Sequence, residues 1–229
     1  MLVAILIGSS VAHAQGALEL GAYGGFTSSK PLTYRCIDLL VGDPCSPGTS
    51  EPHEPEAGFA VGAYLRLPVH AVALLEADLL YAQKGENGGP NGTHTTEHYL
   101  ELPLLVELDP IRAKSPARAF VLGGVSPAIR VGCTVTGPIF DNATHMAVNY
   151  SGSCEDLPAP LNRREPKLFD LGFVVGAGVG WKFPFGTVEV QARYTRGLVD
   201  TRDDDGDKTI NRTLVFMAGF GIALDRHHQ

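Results

Sequence analysis

Apolar and polar residues alternate along several stretches of this chain, most regularly between residues 169 and 183. Every second residue there is apolar, and the residues between are glycine, charged side chains and one valine. The apolar set is Phe169, Leu171, Phe173, Val175, Ala177, Val179, Trp181 and Phe183. A period of two held over this length predicts a β-strand rather than a helix. The alternation resumes after Pro184-Phe185-Gly186, so residues 167–196 are predicted to form a β-hairpin.

The same alternation recurs in six further segments, which brings the predicted strands to eight. These segments are residues 17–26, 58–67, 71–84, 99–108, 117–132 and 209–224. In the hairpin, the face opposite the apolar one is mostly glycine with sparse charges of both signs, which suits a narrow interior better than a wet exterior. Strands of about ten residues with one apolar face are typical of outer-membrane barrels. We therefore predict an all-β fold, an eight-stranded antiparallel up-and-down transmembrane β-barrel.

The connections between these strands alternate between long and short along the chain. Long external loops are expected at about residues 27–56, 85–98, 133–166 and 199–208, and the connections between them are short turns. A barrel with its N-terminus in the periplasm has short periplasmic turns and long external loops. One barrel domain is therefore expected over residues 15–229.

Composition and the N-terminal residues indicate an exported protein. The net charge of −7 with no basic patch argues against nucleic acid as a partner. No apolar run approaches the length of a membrane-spanning helix. Residues 2–7 are apolar and Ala12-His13-Ala14 precedes Gln15, which predicts a signal peptide at residues 1–14, although the usual basic segment is missing. The alternative is a short buried strand.

The four cysteines fall into two local pairs, Cys36 with Cys45 and Cys133 with Cys154. An even count and an export signal favour disulfides in an oxidising compartment. Zinc binding is the alternative, but no pair has the CxxC spacing. Four cysteines allow three connectivities; we expect local pairing within the external loops.

Several segments, in order, resemble the PorT-type outer-membrane β-barrel family. They are LEADLLYAQKG, HYLELPLLVEL, ARAFVLGGVSPAIRV, FDLGFVVGAGVGWKF, VEVQARYTRGL and NRTLVFMAGFGIAL. The resemblance covers residues 17–224 and implies an eight-stranded outer-membrane barrel without a shared catalytic motif. The chain departs from many such barrels at its end, where Asp-Arg-His-His-Gln follows Leu224 in place of a terminal aromatic residue.

The alternation assigns a set of charged side chains to the barrel interior. The principal candidates are Arg66, Glu76, Asp78, Glu101, Arg130, Asp170, Glu189 and Arg193, and the same face holds Glu19, Lys84, Glu107, Arg118 and Lys182. One interpretation is an ion path or proton relay. The other, which we favour, is a salt-bridge network filling a barrel just wide enough for its own side chains.

Two short motifs suggest metal chemistry, but their context argues against it. Residues His94 to His98 match HxxEH, a zinc-protease pattern on a helix, yet they follow a Gly/Asn-rich segment and precede a predicted strand, so we expect loop histidines. The acidic run from Asp203 to Asp207 fails the EF-hand template, since Arg212 would occupy position twelve. We interpret it as an acidic external turn, with weak divalent-cation binding as the alternative.

We expect a non-enzymatic protein of a Gram-negative-type outer membrane, whose barrel anchors external loops for surface interaction and needs no cofactor. A narrow pore is the second hypothesis. An outer-membrane enzyme is the third: His70, His94, His98 and His145 are available for a Ser-His-acid arrangement, but none has a recognisable motif partner. A secreted soluble barrel comes last. The expected partners are outer-membrane lipid, lipopolysaccharide and the barrel-assembly machinery during insertion.

Overall fold

A computed structural model describes most of the predicted strands and parts of their connections. It covers residues 17–35, 46–47, 54–88, 92–111, 115–141, 146–157, 167–201 and 207–224. The predicted signal peptide, Cys36, Cys45, His145 and the acidic residues 203–205 lie outside the described residues. Within the described part of the chain, no helix is long and apolar enough to cross a membrane.

Within the described residues, regular structure consists of β-strands and one turn of 3₁₀-helix at Cys154–Asp156. The strands that form the barrel wall are β1 (Leu18–Ser29), β4 (Glu54–His70), β5 (Ala73–Gly88), β6 (Thr93–Glu101), β7 (Leu104–Leu108), β8 (Ala117–Asp141), β10 (Phe169–Phe183), β11 (Gly186–Gly197) and β13 (Arg212–Leu224). The remaining strands are β2 (Leu32–Arg35), β3 (Ser46–Pro47), β9 (Met146–Ser153) and β12 (Asp207–Ile210). Strands β2, β3 and β12 form a separate small sheet.

The barrel closes because the first wall strand pairs with the last. β1 runs antiparallel to β13, from the pair Leu18 and Leu224 to the pair Ser29 and Thr213, and it pairs with β4 along its other edge. β6 and β7 both pair with β5 and β8 and so act as one wall strand. The ring therefore has eight antiparallel strands, which confirms the predicted fold.

The one wall strand that is split, β6 with β7, is interrupted at Leu102 and Pro103. Proline has no backbone N–H to donate to the ladder. The wall nevertheless stays continuous, because the Asp78 N–H donates to the Pro103 carbonyl and the Leu102 N–H donates to the Pro127 carbonyl, each at 2.9 Å. The predicted single strand at residues 99–108 is corrected to two shorter ones.

The external ends of the strands extend further than the sequence predicted. β5 reaches Gly88 and β6 begins at Thr93, so most of the predicted loop at residues 85–98 is paired strand. β8 reaches Asp141 and pairs with β9 inside the predicted loop at residues 133–166. The ends of β5 and β6 carry threonine and other polar residues without apolar alternation, whereas Cys133 and Val135 of β8 alternate with threonine but are buried rather than exposed. Beyond the membrane a strand does not need an apolar outward face, so the outward alternation ends before the strands do.

The outward face carries the predicted apolar set. On β10, Phe169, Phe173, Val175, Val179, Trp181 and Phe183 are all exposed, while Asp170 and Val174 are buried. Exposed aromatic residues gather toward both ends of the wall, with Trp181, Phe183 and Phe185 at one end and Phe26 and Phe169 toward the other. An apolar band between aromatic girdles matches the lipid-facing surface of a transmembrane barrel.

Candidate functional site

Glycines on the inward face of the wall create room for large side chains inside the barrel. On β10, a Cβ at Gly178 would collide with the ring of Phe120, and one at Gly180 would meet the side chain of Glu189. On β1, a Cβ at Gly21 would overlap the ring of Tyr64 on the neighbouring strand β4. The inward face of the hairpin is therefore glycine because neighbouring strands fill that space.

Arg66 of β4 lies inside the lumen and is completely buried. Its Nη1 and Nη2 donate to Glu189 Oε2 at 2.8 Å and Oε1 at 2.5 Å, a bidentate pair between β4 and β11. Its Nε donates to Glu76, and Nη1 donates to Glu19 Oε1 at 3.1 Å. Tyr23 accepts from Nη2 and donates to Glu189 Oε1 at 2.8 Å. One guanidinium thus joins β1, β4, β5 and β11.

Arg118 of β8 binds a second group of carboxylates beside Arg66. Its Nε donates to Asp109 Oδ2 at 3.1 Å and its Nη1 donates to Glu189 Oε2 at 3.0 Å. Its Nη2 donates to Glu107 of β7. Glu189 therefore lies between two guanidiniums, and its position ties β11 to β4 and β8.

Arg193 of β11 completes this group. It donates to Asp78 through Nη1, to Glu76 Oε1 at 2.5 Å through Nη2, and to Gln191 Oε1 at 2.9 Å through Nε. Its guanidinium carbon lies 5.3 Å from the centre of the Tyr23 ring. We call Arg66, Arg118 and Arg193 with their six carboxylates the lower charge cluster; the carboxylates are Glu19, Glu76, Asp78, Glu107, Asp109 and Glu189.

Apolar and aromatic side chains pack against and above the lower charge cluster. Tyr23 and Tyr64 stack with ring centres 4.3 Å apart and pack with Leu80 and Met217. A second group, Leu105, Phe120, Leu122 and Val174, is also buried. Arg66 lies 4.3 Å from the centre of the Tyr64 ring. These contacts fill the middle of the lumen between the charged residues.

A second charged group lies toward the external end and includes Lys84, Glu101, Glu97 and Asp170, with Tyr99 and Asn211. Lys84 Nζ lies 2.6 Å from Glu101 Oε1. Tyr99 donates to Glu97 Oε2 at 2.8 Å, and Asn211 Nδ2 donates to Asp170 Oδ2 at 2.8 Å. We call these six residues the upper charge cluster. It links β5 and β6 with β10 and the start of β13.

The predicted interior residues therefore divide between two levels. Arg66, Glu76, Asp78, Glu189 and Arg193 meet in the lower cluster, whereas Glu101 and Asp170 belong to the upper one. Arg130 is half-buried on β8 opposite Tyr99, and Lys182 is half-buried near the short turn after β10. Sequence reasoning assigned no role to Tyr23, Tyr64, Gln191 or Asn211 and placed Asp109 in a turn. For Tyr23, Tyr64 and Gln191 the inward position in the alternation was the available signal.

The histidine motif lies in a strand, not in the loop expected from the sequence. Residues 94–98 belong to β6, where His98 Nδ1 is 2.6 Å from the Tyr81 hydroxyl and His94 Nδ1 is 3.7 Å from Glu56 Oε2. Alternate residues of a strand face opposite sides, so Glu97 points inward while the two histidines share the other face. Among the described residues, no group of three or more His, Cys, Asp or Glu is placed to hold a metal ion.

Cys133 and Cys154 form a disulfide, as the local pairing predicted, with Cα atoms 5.4 Å apart. The bond joins β8 to the 3₁₀ turn that follows β9, at the end of the ladder where Thr134 pairs with Ser153. Both cysteines are buried with Val135 and packed by Ile139, Tyr150 and Leu157. The disulfide therefore fixes the base of the β8–β9 hairpin.

Comparison with known proteins supports this architecture. The chain is similar in fold to the outer membrane protein OprG from Pseudomonas aeruginosa, at 15% identity over 92% of this chain and 98% of that chain, with a TM-score of 0.52. It is also similar to the outer membrane protease OmpT from Escherichia coli, at 10% identity over 91% of this chain and 97% of that chain, with a TM-score of 0.50.

At these identities the similarity concerns the fold alone. No curated protein sequence matches the chain significantly. A family model described as an outer membrane protein beta-barrel domain matches residues 13–203. With its apolar outward band and its closed ring of eight strands, this chain belongs to the outer membrane protein beta-barrel domain family and resides in a Gram-negative outer membrane.

Proposed function

We propose that this barrel is a non-enzymatic anchor, closed by its own side chains, that displays its external strands and loops at the cell surface. The observation that carries the proposal is the position of Arg66, which is 0% exposed and joins four strands through Glu19, Glu76 and Glu189. An eight-stranded barrel has an interior just wide enough for side chains to fill. Ions crossing it would have to break this network.

The external part of the molecule supports a role in display. The β8–β9 hairpin continues the wall past the level where β10 begins, since β10 pairs with β8 only as far as Ile129. The disulfide holds that hairpin at its base. The PorT-type resemblance is consistent with this assignment, because it implies an outer-membrane barrel without a shared catalytic motif.

A narrow pore is the second candidate, because charged residues occupy both levels of the lumen. A polar pocket near the external end is lined by Glu97, Thr201, Thr209 and Asn211, among others. It lies on the external side of the buried middle layer. In the pore hypothesis, the lower charge cluster would rearrange to admit ions.

Planar-bilayer recording of the purified full chain separates these two candidates. We expect the wild-type barrel to pass no steady current, because the lower charge cluster and the Tyr23–Tyr64 layer occupy the lumen. A steady and well-resolved single-channel current would contradict the anchor proposal.

OmpT is a protease, so turnover of peptide and of lipopolysaccharide by the same preparation tests the enzyme hypothesis, and we expect none.

A further inference from the structure

Three basic residues lie side by side on the outward face of the wall, at the external ends of β11, β13 and β1. Arg196 and Arg212 are direct register partners in β11 and β13. Lys30 follows β1, and its backbone N–H donates to the Arg212 carbonyl at 2.9 Å. Arg196 and Lys30 are exposed and Arg212 is half-buried. We call these three residues the basic rim.

On β11, β13 and β1, the basic rim lies directly above the apolar residues of the outward face. Tyr194, Leu214 and Phe26 occupy the same outward face of the three strands on the membrane side of it. β11 begins at the short turn after β10, and Arg196 is its penultimate residue. At roughly 3.4 Å per residue and a tilt of about 40°, Arg196 lies roughly 25 Å above that turn, the height of the apolar band. The rim therefore lies at the level of the outer-leaflet headgroups.

No acidic residue neutralises the basic rim among the described residues. Other cations near this end have partners, such as Lys84 with Glu101 at 2.6 Å and Lys167 with Asp200 at 3.9 Å. Within the part of the chain that the structure covers, Lys30, Arg196 and Arg212 make no side-chain hydrogen bond or ion pair, and Arg212 Nε is shielded from solvent without an acceptor. Like charges directly opposite each other on a sheet are destabilising. An anion from outside the protein would relieve that repulsion.

We propose that the basic rim binds a phosphate group of the outer-leaflet glycolipid, lipopolysaccharide. Guanidinium groups match phosphate oxygens in a bidentate geometry, and these charge-assisted hydrogen bonds are the strong ones. The apolar and aromatic residues just below would contact the acyl chains of the same molecule. The inference depends on the outer-membrane location and not on whether the lumen conducts, so its failure would leave the anchor proposal untouched.

Native mass spectrometry of the full chain tests this binding, with the protein reconstituted in phosphatidylcholine nanodiscs containing lipopolysaccharide. The double variant Arg196→Gln/Arg212→Gln should retain lipopolysaccharide at least about tenfold less well than wild type. The variant Arg196→Lys/Arg212→Lys should recover part of that loss, because it keeps the charge but not the bidentate geometry. Lys167→Gln removes a cation that already has a partner and should bind like wild type.

Two further binding measurements identify the chemical group that the basic rim recognises. Dephosphorylated lipopolysaccharide should bind the wild type and the double variant equally weakly, and excess inorganic phosphate should displace little lipopolysaccharide from the wild type. Unchanged binding of lipopolysaccharide by a folded double variant would overturn the proposal. Full displacement by inorganic phosphate would reduce the rim to a general anion site and overturn the lipid assignment. If the double variant fails to fold by heat-modifiable gel mobility, Lys30→Gln serves instead and should still weaken retention.

Discussion

At the residue scale, glycine and arginine have complementary positions inside this barrel. Gly176 of β10 lies opposite Arg193 of β11. A Cβ at Gly176 would collide with the carbonyl oxygen of Ala192 and crowd the Arg193 and Leu122 side chains. Gly180 lies opposite Glu189 in the same way. The inward glycines of β10 therefore make room for the charged side chains of β11, which explains why a lipid-facing strand contains so many glycines.

Arg193→Ala should lower the free energy of unfolding by roughly 3–5 kcal/mol, because it leaves the buried carboxylate of Asp78 without its cation and leaves Glu76 with Arg66 alone. Arg196→Ala is the matched control, since it removes an exposed arginine from the outward face of the same strand. In detergent without lipopolysaccharide the control should change stability by no more than about 0.5 kcal/mol. Denaturant titration of the purified barrels measures both. A stable Arg193→Ala barrel with a new conductance would instead indicate that the residue gates a pore.

Val175→Arg places a charge on the outward face near the middle of β10 and should cost roughly 2–4 kcal/mol in a bilayer. Val148→Arg on β9 is the control: the two valines are similarly exposed, at 42% and 48%, but Val148 lies on the external hairpin. The control should insert and fold normally because it lies in water. Heat-modifiable gel mobility after lipid insertion reports the difference. Equal stability of the two variants would contradict a lipid-facing β10.

At the element scale, the pairing of the wall strands follows one condition inside the membrane and another beyond it. In the membrane, no water is available to satisfy backbone groups, so every wall strand must pair on both edges. Beyond the membrane that requirement ends, and β8 exchanges its partner β10 for β9 between Ile129 and Thr134. The disulfide Cys133–Cys154 lies at this exchange point, where the hairpin leaves the closed ring.

Reduction of the disulfide should loosen the β8–β9 hairpin but leave the barrel folded, because the ring is closed by pairing between β1 and β13 and not by the covalent bond. Hydrogen exchange should rise in residues 146–153 and stay low in β10 and β11. Cys133→Ser/Cys154→Ser should reproduce the reduced protein. Loss of heat-modifiable folding after reduction, or zinc bound to free thiols, would be incompatible with this role.

These two conditions also explain which elements the sequence could predict. Inside the membrane the apolar alternation is obligatory, so the eight wall strands and the inward position of Arg66, Glu76, Glu189 and Arg193 follow from a period of two. The ends of β5 and β6 and the strands β3 and β12 carry no such alternation, and β2 and β9 carry it over only two or three apolar residues. The choice of partner is also not encoded locally: the Arg66–Glu189 contact spans 123 residues and depends on how the ring closes.

At the scale of the whole molecule, the two ends of the barrel differ in the length of their connections. Short connections join β4 to β5, β7 to β8 and β10 to β11 at the end where β1 begins and β13 ends; the first and last are turns at residues 71–72 and 184–185, and only eight residues separate Leu108 from Ala117. At the opposite end the wall carries the β8–β9 hairpin, and the lumen there is bounded by the upper charge cluster. Short turns on the periplasmic side and long excursions outside are the rule for outer-membrane barrels. Arg196, Arg212 and Lys30 then meet the outer leaflet, and the lower charge cluster lies nearer the periplasm.

This orientation predicts which surface positions a membrane-impermeant thiol reagent can reach in intact cells. Asn149→Cys, on the exposed face of β9, should label before permeabilisation, because the hairpin is external. His70→Cys, exposed beside the short turn at residues 71–72, should label only after the outer membrane is opened. The wild-type chain gives the background from its own cysteines, and heat-modifiable mobility confirms that each variant is inserted. Labelling of His70→Cys in intact cells, with protection of Asn149→Cys, would mean that the barrel is inserted the other way. The basic rim would then face the periplasmic leaflet, where it could not meet lipopolysaccharide.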